Sequence, residues 1–165
     1  VEGWMYATIL QLIENLERDG ANPVRILCHN IRDLPFASSL GGLEYVLSDD
    51  VYSHLELLRS ARLVVTYRLH AFLPCVAFGT PAVNISYDER SASLVRTIGF
   101  GDWDVDCVGG PDVVSGVRDR VARLPEFHEL RQKARPRWES LVSVMRRSMS
   151  EFARRTKAYA REAVA

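Results

Sequence analysis

The order of apolar and amphipathic segments constrains this chain more than any other feature. Short apolar runs that contain β-branched residues alternate with stretches in which apolar residues recur every three or four positions. The first pattern is typical of strands buried on both faces, and the second is typical of helices. Strands that alternate with helices predict an α/β fold built on a parallel sheet.

The individual elements follow from the same two patterns. "WMYATILQLIENLERDG" predicts a helix that ends at Gly20, and "DLPFASSLGG" predicts a loop. Strands are predicted in "VRILCHN", "LEYVLSDD", "RLVVT", "TPAVNIS" and, at an edge, "WDVDCV". Helices are predicted in "DVYSHLELLRSA", with Tyr52, Leu55 and Leu58 facing inward, in "HAFLPCVAFG", in "DERSASLVRTIGF" and in "DVVSGVRDRVARL". This order predicts a Rossmann-like sheet with helices on both faces.

The length and composition predict one domain over residues 1–165. A chain of 165 residues with 47% hydrophobic and 25% charged residues suits a single core. Residues 126–165 are predicted as a long C-terminal helix, in which Pro136 marks a kink or a fresh start. No apolar run approaches the roughly 20 residues that span a bilayer. Because the chain begins with "VEGWMYATIL", without an initiator Met, we expect a piece of a longer protein.

Cysteine usage and charge indicate which cellular compartment and which binding partners suit this chain. Cys28, Cys75 and Cys107 have no CxxC spacing, which favours small buried hydrophobes, no metal site and a reducing, cytoplasmic location. Residues 123–165 hold 11 Lys and Arg against 5 Asp and Glu, a net charge of +6. We interpret this basic tail as the solvated face of a helix and predict no nucleic-acid binding. Peripheral association with the inner face of the membrane stays open.

Polar residues follow four of the predicted strands. The third strand leads through Thr66 into Arg68 and His70, at the start of the helix "HAFLPCVAFG". Free amides and the positive end of a helix dipole favour an anion there, and Arg supplies a fixed fork for phosphate or carboxylate. Pro74 would leave the carbonyl of His70 without its helical partner. The neighbouring strand ends carry His29, Tyr87 and Arg90, so the sequence predicts an anion site at this edge.

A purely structural interpretation of the same residues is also open. Arg68 could pair with Asp49 or Asp50, and His70 could cap a neighbour. Tyr87 could be a core residue, Glu89 could offset Arg90 at the helix start, and His29 could be structural. His54 and His128 suit surface positions.

Other chemistries lack their sequence patterns. The chain has no GxGxxG after a strand, no P-loop, no HExxH, no GxSxG and no cysteine and histidine residues at metal-ligand spacing. The acidic run "GDWDVD" lacks the glycine and the closing glutamate of a calcium loop. We therefore expect Asp102, Asp104 and Asp106 to form the exposed face of an edge strand, and we predict no cofactor.

One longer string resembles a known family. "SARLVVTYRLHAFLPCVAFGTPAVNISYDER" is similar to the polysaccharide pyruvyl transferases, whose C-terminal halves carry a strand, Arg-Leu-His, an apolar helix, Gly-Thr-Pro, a strand and a Tyr-x-x-Lys-like element. The likeness is best over residues 60–100, and residues 1–59 agree in the order of their elements. Arg90 stands at the lysine position.

The resemblance implies a function and a larger architecture. It implies half of a GT-B-like two-domain enzyme that transfers a pyruvyl group from phosphoenolpyruvate to a cell-surface sugar as a ketal, without a metal. Arg68 and His70 would bind the donor, with His70 also acting as an acid, and Thr66, Tyr87, Arg90 and His29 would assist. The partners implied are phosphoenolpyruvate, a saccharide acceptor and a missing N-terminal domain.

Two other functions remain open from the sequence. One is the nucleotide-sugar-binding half of a GT-B glycosyltransferase or epimerase, in which Asp49, Asp50 or Asp88 would hold ribose hydroxyls. The other is a non-catalytic binding or assembly domain that docks through its basic C-terminal helix.

Overall fold

The structure is a computed structural model that describes residues 2–20, 23–108 and 112–162. It contains five strands, all paired in parallel within the described ranges. These are β1 (Arg25–Cys28), β2 (Glu44–Leu47), β3 (Val64–Thr66), β4 (Ala82–Ser86) and β5 (Asp104–Asp106). The helices are α1 (Glu2–Gly20), α2 (Leu34–Ser39), α3 (Val51–Ser60), α4 (Leu69–Phe78), α5 (Glu89–Thr97), α6 (Val113–Ala122) and α7 (Leu124–Glu162). The predicted α/β class, with parallel strands flanked by helices and a long C-terminal helix, is confirmed.

The strands form two hydrogen-bonded groups. β1 pairs with β2, and a second sheet has the order β3-β4-β5, which leaves β5 at an edge as predicted. Consecutive side chains of β4 point to opposite faces of the sheet. Because Ala82, Val83, Asn84 and Ser86 are all buried, both faces of β4 are covered.

Side-chain caps set the boundaries of the helices. Asp50 accepts hydrogen bonds from the first-turn amides of α3, and Asp88 and Asp112 do the same for α5 and α6. Gly79 ends α4 in the left-handed conformation at φ 85°, which a glycine adopts without steric cost. These predicted starts and stops are therefore confirmed.

The core lies around the three-stranded sheet. Phe72, Phe100, Trp103 and Phe127 are fully buried there, and their rings pack edge to face or tilted against one another. Ring pairs of this kind stabilise by about 1 kcal/mol beyond their burial. This core fixes β3 and β4, the strands that lead into the predicted site.

Two local predictions are wrong, and a third is narrowed. "DLPFASSLGG" contains the short helix α2 as well as a turn, because Pro35 in its first turn needs no amide partner there. Tyr52 is 82% exposed, since it lies in the first turn of α3, beyond the packing that buries Leu58. At Pro136, where the sequence predicts a kink or a fresh start, α7 continues as one helix, so the fresh start does not occur and the kink stays a prediction.

Two further findings concern the ends of the fold. α7 begins at Leu124, two residues before the predicted start, and residues 163–165 of that prediction lie outside the described part of the chain. None of the helices described is long and apolar enough to cross a bilayer.

Candidate functional site

Parallel pairing brings the polar strand ends together within each sheet. Cys28 lies beside Leu47 in one sheet, and Thr66 lies beside Asn84 in the other, so the residues that follow β1 and β2, or β3 and β4, leave from one edge. Ligands of open parallel sheets bind at this edge. The predicted site residues His29, Thr66, Arg68, His70, Tyr87 and Arg90 all lie at or just after the ends of these strands.

An ion pair joins the ends of β1 and β3 across the two sheets. Arg68 donates from Nη2 to Oδ1 of Asp33 at 2.6 Å, and both side chains are half-buried. Arg68 is the residue before α4, and its own amide donates to Oγ1 of Thr66 at 3.0 Å. The pairing with Asp49 or Asp50 that the sequence left open does not form, since Asp50 caps α3 and Asp33 takes this place.

The backbone holds Asp33 in position. Its other oxygen, Oδ2, accepts hydrogen bonds from the amides of His29 at 2.8 Å and Asn30 at 3.3 Å. The side-chain oxygen Oδ1 of Asn30 accepts a hydrogen bond from the amide of Arg32. This reciprocal capping leaves Oδ1 of Asp33 aimed at Arg68. A guanidinium has five N–H donors. Among the described residues Asp33 is its one hydrogen-bond acceptor, and the ring of Tyr67 lies 5.3 Å from its Cζ.

Two histidines pack against each other near this ion pair. The rings of His29 and His54 meet edge to face with centroids 4.5 Å apart. Burial lowers the pKa of His29 to about 4, helped by His54, Arg68 and His70, and burial also lowers the pKa of His54. At neutral pH His29 is therefore an uncharged donor and acceptor and not a cation. His54, expected at the surface, is half-buried, and its Nε2 has no hydrogen-bond partner among the described residues.

His70 lies in the first turn of α4 with its side chain exposed. The carbonyl of Arg68 accepts from the amides of Ala71 and Phe72, and no side chain caps this end of the helix. The first-turn amides add a positive potential beside Arg68. Pro74 lies inside α4 and cannot donate to the carbonyl of His70, as its position in the sequence predicts.

Tyr87 and Arg90 follow the neighbouring strand β4, and both are exposed. In the described part of the chain, neither forms a hydrogen bond, an ion pair or a ring contact with Arg68 or His70. Glu89, proposed as a partner for Arg90, forms an ion pair with Arg96. The structure thus joins His29 and Arg68 through Asp33, ties Thr66 to the backbone of Arg68, brings His70 near His29, and places Tyr87 and Arg90 one strand away.

A buried polar cluster supports the end of β4. Asp104 accepts from Nδ2 of Asn84 at 2.6 Å and from Oγ of Ser86 at 2.8 Å, and Asn84 also reaches Ser91 in α5. The expectation that Asp104 lies on an exposed face is wrong, because β5 turns this residue toward β4. The cluster ties β4, β5 and α5 together and so fixes the segment that carries Tyr87 and Arg90.

Sequence reasoning missed Asp33 and the burial of His54. A signal for Asp33 was present, since Asn30 and Asp33 have the spacing of a capping box. That pattern predicts a turn at this point. It does not predict the arginine, 35 residues further on, that the carboxylate holds.

Comparison with known proteins identifies the family. The family model described as polysaccharide pyruvyl transferase matches residues 7–89, about half of the chain. The matched range runs from α1 to the first residue of α5 and contains His29, Asp33, Arg68, His70 and Tyr87, whereas Arg90 lies just beyond it. Neither the curated proteins nor the solved structures gave a match. The chain belongs to the polysaccharide pyruvyl transferase family.

Proposed function

We propose that the edge formed by the ends of β1 and β3 binds phosphoenolpyruvate, and that the chain is the donor-binding half of an enzyme that transfers its pyruvyl group to a sugar. The family supports the transfer chemistry. The observation that carries the site is the pair of Asp33 and Arg68. A carboxylate fixed by backbone amides holds a guanidinium at the start of a ten-residue helix. One N–H of this guanidinium is used, which leaves donors for an anionic ligand.

In phosphoenolpyruvate one carbon carries the phosphate, the carboxylate and a double bond to a methylene carbon. In the ketal product the same carbon carries two sugar oxygens, the carboxylate and a methyl group. A proton adds to the methylene carbon, the first sugar oxygen bonds to the carbon that bears the phosphate, and phosphate leaves. The second hydroxyl then closes the ketal. One hydroxyl proton balances the new methyl group and the other leaves with phosphate. Negative charge concentrates on the departing phosphate, which a fixed guanidinium stabilises.

The residues around Asp33 take distinct parts in this proposal. Arg68 binds the phosphate or the carboxylate, with the first-turn amides of α4 beside it. His70 reaches the same ligand as a hydrogen-bond donor and supplies the acid. His29 is neutral, so it contributes hydrogen bonds and not charge. Thr66 holds the backbone at Arg68, and Tyr87 and Arg90 complete the donor site from the next strand.

In this proposal, another domain that is not part of this chain binds the saccharide acceptor and forms the other side of the active-site cleft. A second Rossmann-like domain, arranged as in a GT-B enzyme, would face the site and bind the saccharide. The isolated chain should then bind phosphoenolpyruvate weakly and perform no transfer. Free thiols at Cys28, Cys75 and Cys107 suit the reducing cytoplasm.

Calorimetric titration of the chain with phosphoenolpyruvate tests the site. Arg68→Ala should weaken binding by about tenfold or more, the usual effect of losing a hydrogen bond to a charged group. Arg59→Ala is the matched control, because Arg59 is exposed at the far end of α3 and pairs only weakly with Glu56. Equal affinities for wild type and Arg68→Ala would contradict the proposal.

The role of Asp33 as a positioning residue has a separate test. Asp33→Asn keeps a capping oxygen but removes the charge that orients Arg68, so binding should weaken. The double variant Asp33→Asn, Arg68→Ala should bind no more weakly than Arg68→Ala alone, because the two residues act as a unit. A further loss in the double variant would mean that Asp33 does not act through Arg68.

Competition distinguishes the donor classes. Phosphoenolpyruvate should displace a bound phosphate analogue at lower concentration than a nucleotide sugar does. The reverse order would favour the nucleotide-sugar-binding function.

A further inference from the structure

One apolar stripe runs along α7 and changes its surroundings half-way. In its first half Phe127 and Ala134 are buried in the core. Trp138 follows on the same face, stacks on Phe100 with ring centroids 6.0 Å apart, and donates from Nε1 to the carbonyl of Ile98 at 2.7 Å. This half of the stripe is fully explained by packing against the fold.

The second half of the stripe extends beyond the fold. Val142, Met145, Met149 and Phe152 continue at spacings of three and four residues, which keeps them on the face of Trp138. Their exposure increases with distance from the core, from 40% at Val142 to 53% at Met145, 64% at Met149 and 72% at Phe152. Residues 141–156, which we call the distal segment, therefore present a row of large apolar side chains to solvent.

Basic residues occupy the rest of the distal segment, with Arg147 and Arg154 opposite the apolar stripe and Arg146 and Arg155 beside it. It contains four arginines, Arg146, Arg147, Arg154 and Arg155, and one acidic residue, Glu151, for a net charge of +3. Glu151 is already paired with Arg155. Residues 1–122 hold 10 Lys and Arg against 16 Asp and Glu, a net charge of −6. The distal segment is thus basic, whereas residues 1–122 carry a net negative charge.

We propose that the distal segment lies on an anionic lipid surface, with Met145, Met149 and Phe152 in the acyl boundary and the arginines among the headgroups. A helix with a large apolar face and arginines on its polar face is suited to the plane of the interface. It would lie on the bilayer without crossing it. The docking surface is independent of the donor site, which is built from β1, β3 and α4.

Charge favours a lipid surface over a second copy of the chain. Two distal segments side by side would each bring +3. A two-stranded coiled coil also prefers small branched residues and leucine in its seam, with opposite charges beside them. Here the seam would hold Val142, Met145, Met149 and Phe152, of which one is β-branched and none is leucine, and arginine predominates beside it.

Flotation of the whole chain with vesicles tests this surface. The chain should bind vesicles of an equimolar mixture of phosphatidylcholine and phosphatidylglycerol, and binding to pure phosphatidylcholine should be much weaker. Phe152→Asp should lower the partition coefficient by at least about tenfold, the effect of withdrawing a phenylalanine from an apolar phase. Each arginine neutralised, as in Arg147→Gln or Arg154→Gln, should lower it about fivefold, and high salt should weaken binding.

The control is Val108→Asp, the same kind of change at an exposed apolar residue outside α7. It should leave vesicle binding unchanged. Phe152→Asp should also leave the affinity for phosphoenolpyruvate unchanged, which separates this proposal from the proposed function. Equal binding of wild type and Phe152→Asp to anionic vesicles would overturn the proposal. So would a dimer, measured by light scattering, that Phe152→Asp converts to a monomer.

Discussion

At the scale of single residues, the site depends on how charges are compensated. His29 lies near three groups that carry or can carry positive charge, His54, Arg68 and His70, and near the carboxylate of Asp33. The guanidinium obtains the carboxylate as its partner, and the imidazole remains neutral. A neutral His29 leaves Arg68 as the cation next to Asp33, and its rigid fork is the group to which the proposed function assigns the phosphate.

The pH dependence of stability follows from His29. Its pKa is about 4 in the folded chain against an ordinary value of 6.5, so below pH 6.5 the unfolded chain binds more protons. Folding with a neutral His29 therefore contributes its full stability above pH 6.5. This contribution should be lost as the pH falls from 6.5 toward 4, because protons then bind more readily to the unfolded chain. Urea denaturation across this range should show the loss, and His29→Asn should reduce it. NMR titration should give His29 a midpoint near pH 4, and a midpoint near 6.5 would contradict the burial described for this ring.

At the scale of elements, close contact sets the packing of α6 on β5. A Cβ added at Gly116 would lie 2.9 Å from Cγ1 and 3.3 Å from Cγ2 of the buried Val105. Such contacts require a shift of side chain or backbone. The glycine is therefore needed for the approach of the helix and not for an unusual backbone conformation.

Gly116→Ala should destabilise the chain by about 1–3 kcal/mol, the usual effect of overpacking. In a Val105→Ala background the same change should be neutral or stabilising, because the contact is gone and alanine favours helix by about 1 kcal/mol. Gly3→Ala, where no described atom lies within 4 Å of the added Cβ, is the control and should not destabilise. Urea denaturation of the four variants measures this coupling. If Gly116→Ala lowers the free energy of unfolding as much in the Val105→Ala background as in the wild type, Val105 is not the side chain that hinders the added methyl group.

At the scale of the whole molecule, the two sheets differ in their support. β4 is buried on both faces and pairs with strands on both sides. Within the described part of the chain β1 and β2 pair only with each other, and several of their side chains are exposed. The ion pair of Asp33 and Arg68 is one link between the two sheets.

Hydrogen exchange should follow this difference. The amides of β4 should exchange most slowly, and those of β1 and β2 faster, because local opening is easier where fewer apolar contacts are lost. Arg68→Ala should increase exchange in residues 25–47 and leave β4 unchanged, whereas Arg59→Ala should affect neither. Equal protection of β1 and β4 would mean that the two sheets open as one unit.

Local chemistry made much of this fold predictable. Asp50, Asp88 and Gly79 mark helix ends through contacts within a few residues, so their patterns are visible in the sequence. The positions of Thr66, Arg68 and His70 at a strand end follow in the same way. The string over residues 60–100 indicated the family, which the match to residues 7–89 confirms.

Contacts between distant residues were not predictable. The partner of Arg68 is 35 residues away, and Asp104 turns inward to an asparagine 20 residues away. His54 is half-buried and packs against His29 on another element. A sequence pattern reports the period of one element, whereas these contacts depend on how two elements are placed.

The sequence by itself determined the order of strands and helices, their caps, and the edge at which polar residues collect, because each depends on interactions within a few residues. Only the tertiary structure decided which carboxylate compensates Arg68, which histidine is held neutral, and where the apolar stripe of α7 leaves the core. Those outcomes depend on burial and on distances between separate elements, and burial and distance decide whether a charge is compensated and whether an apolar face is covered.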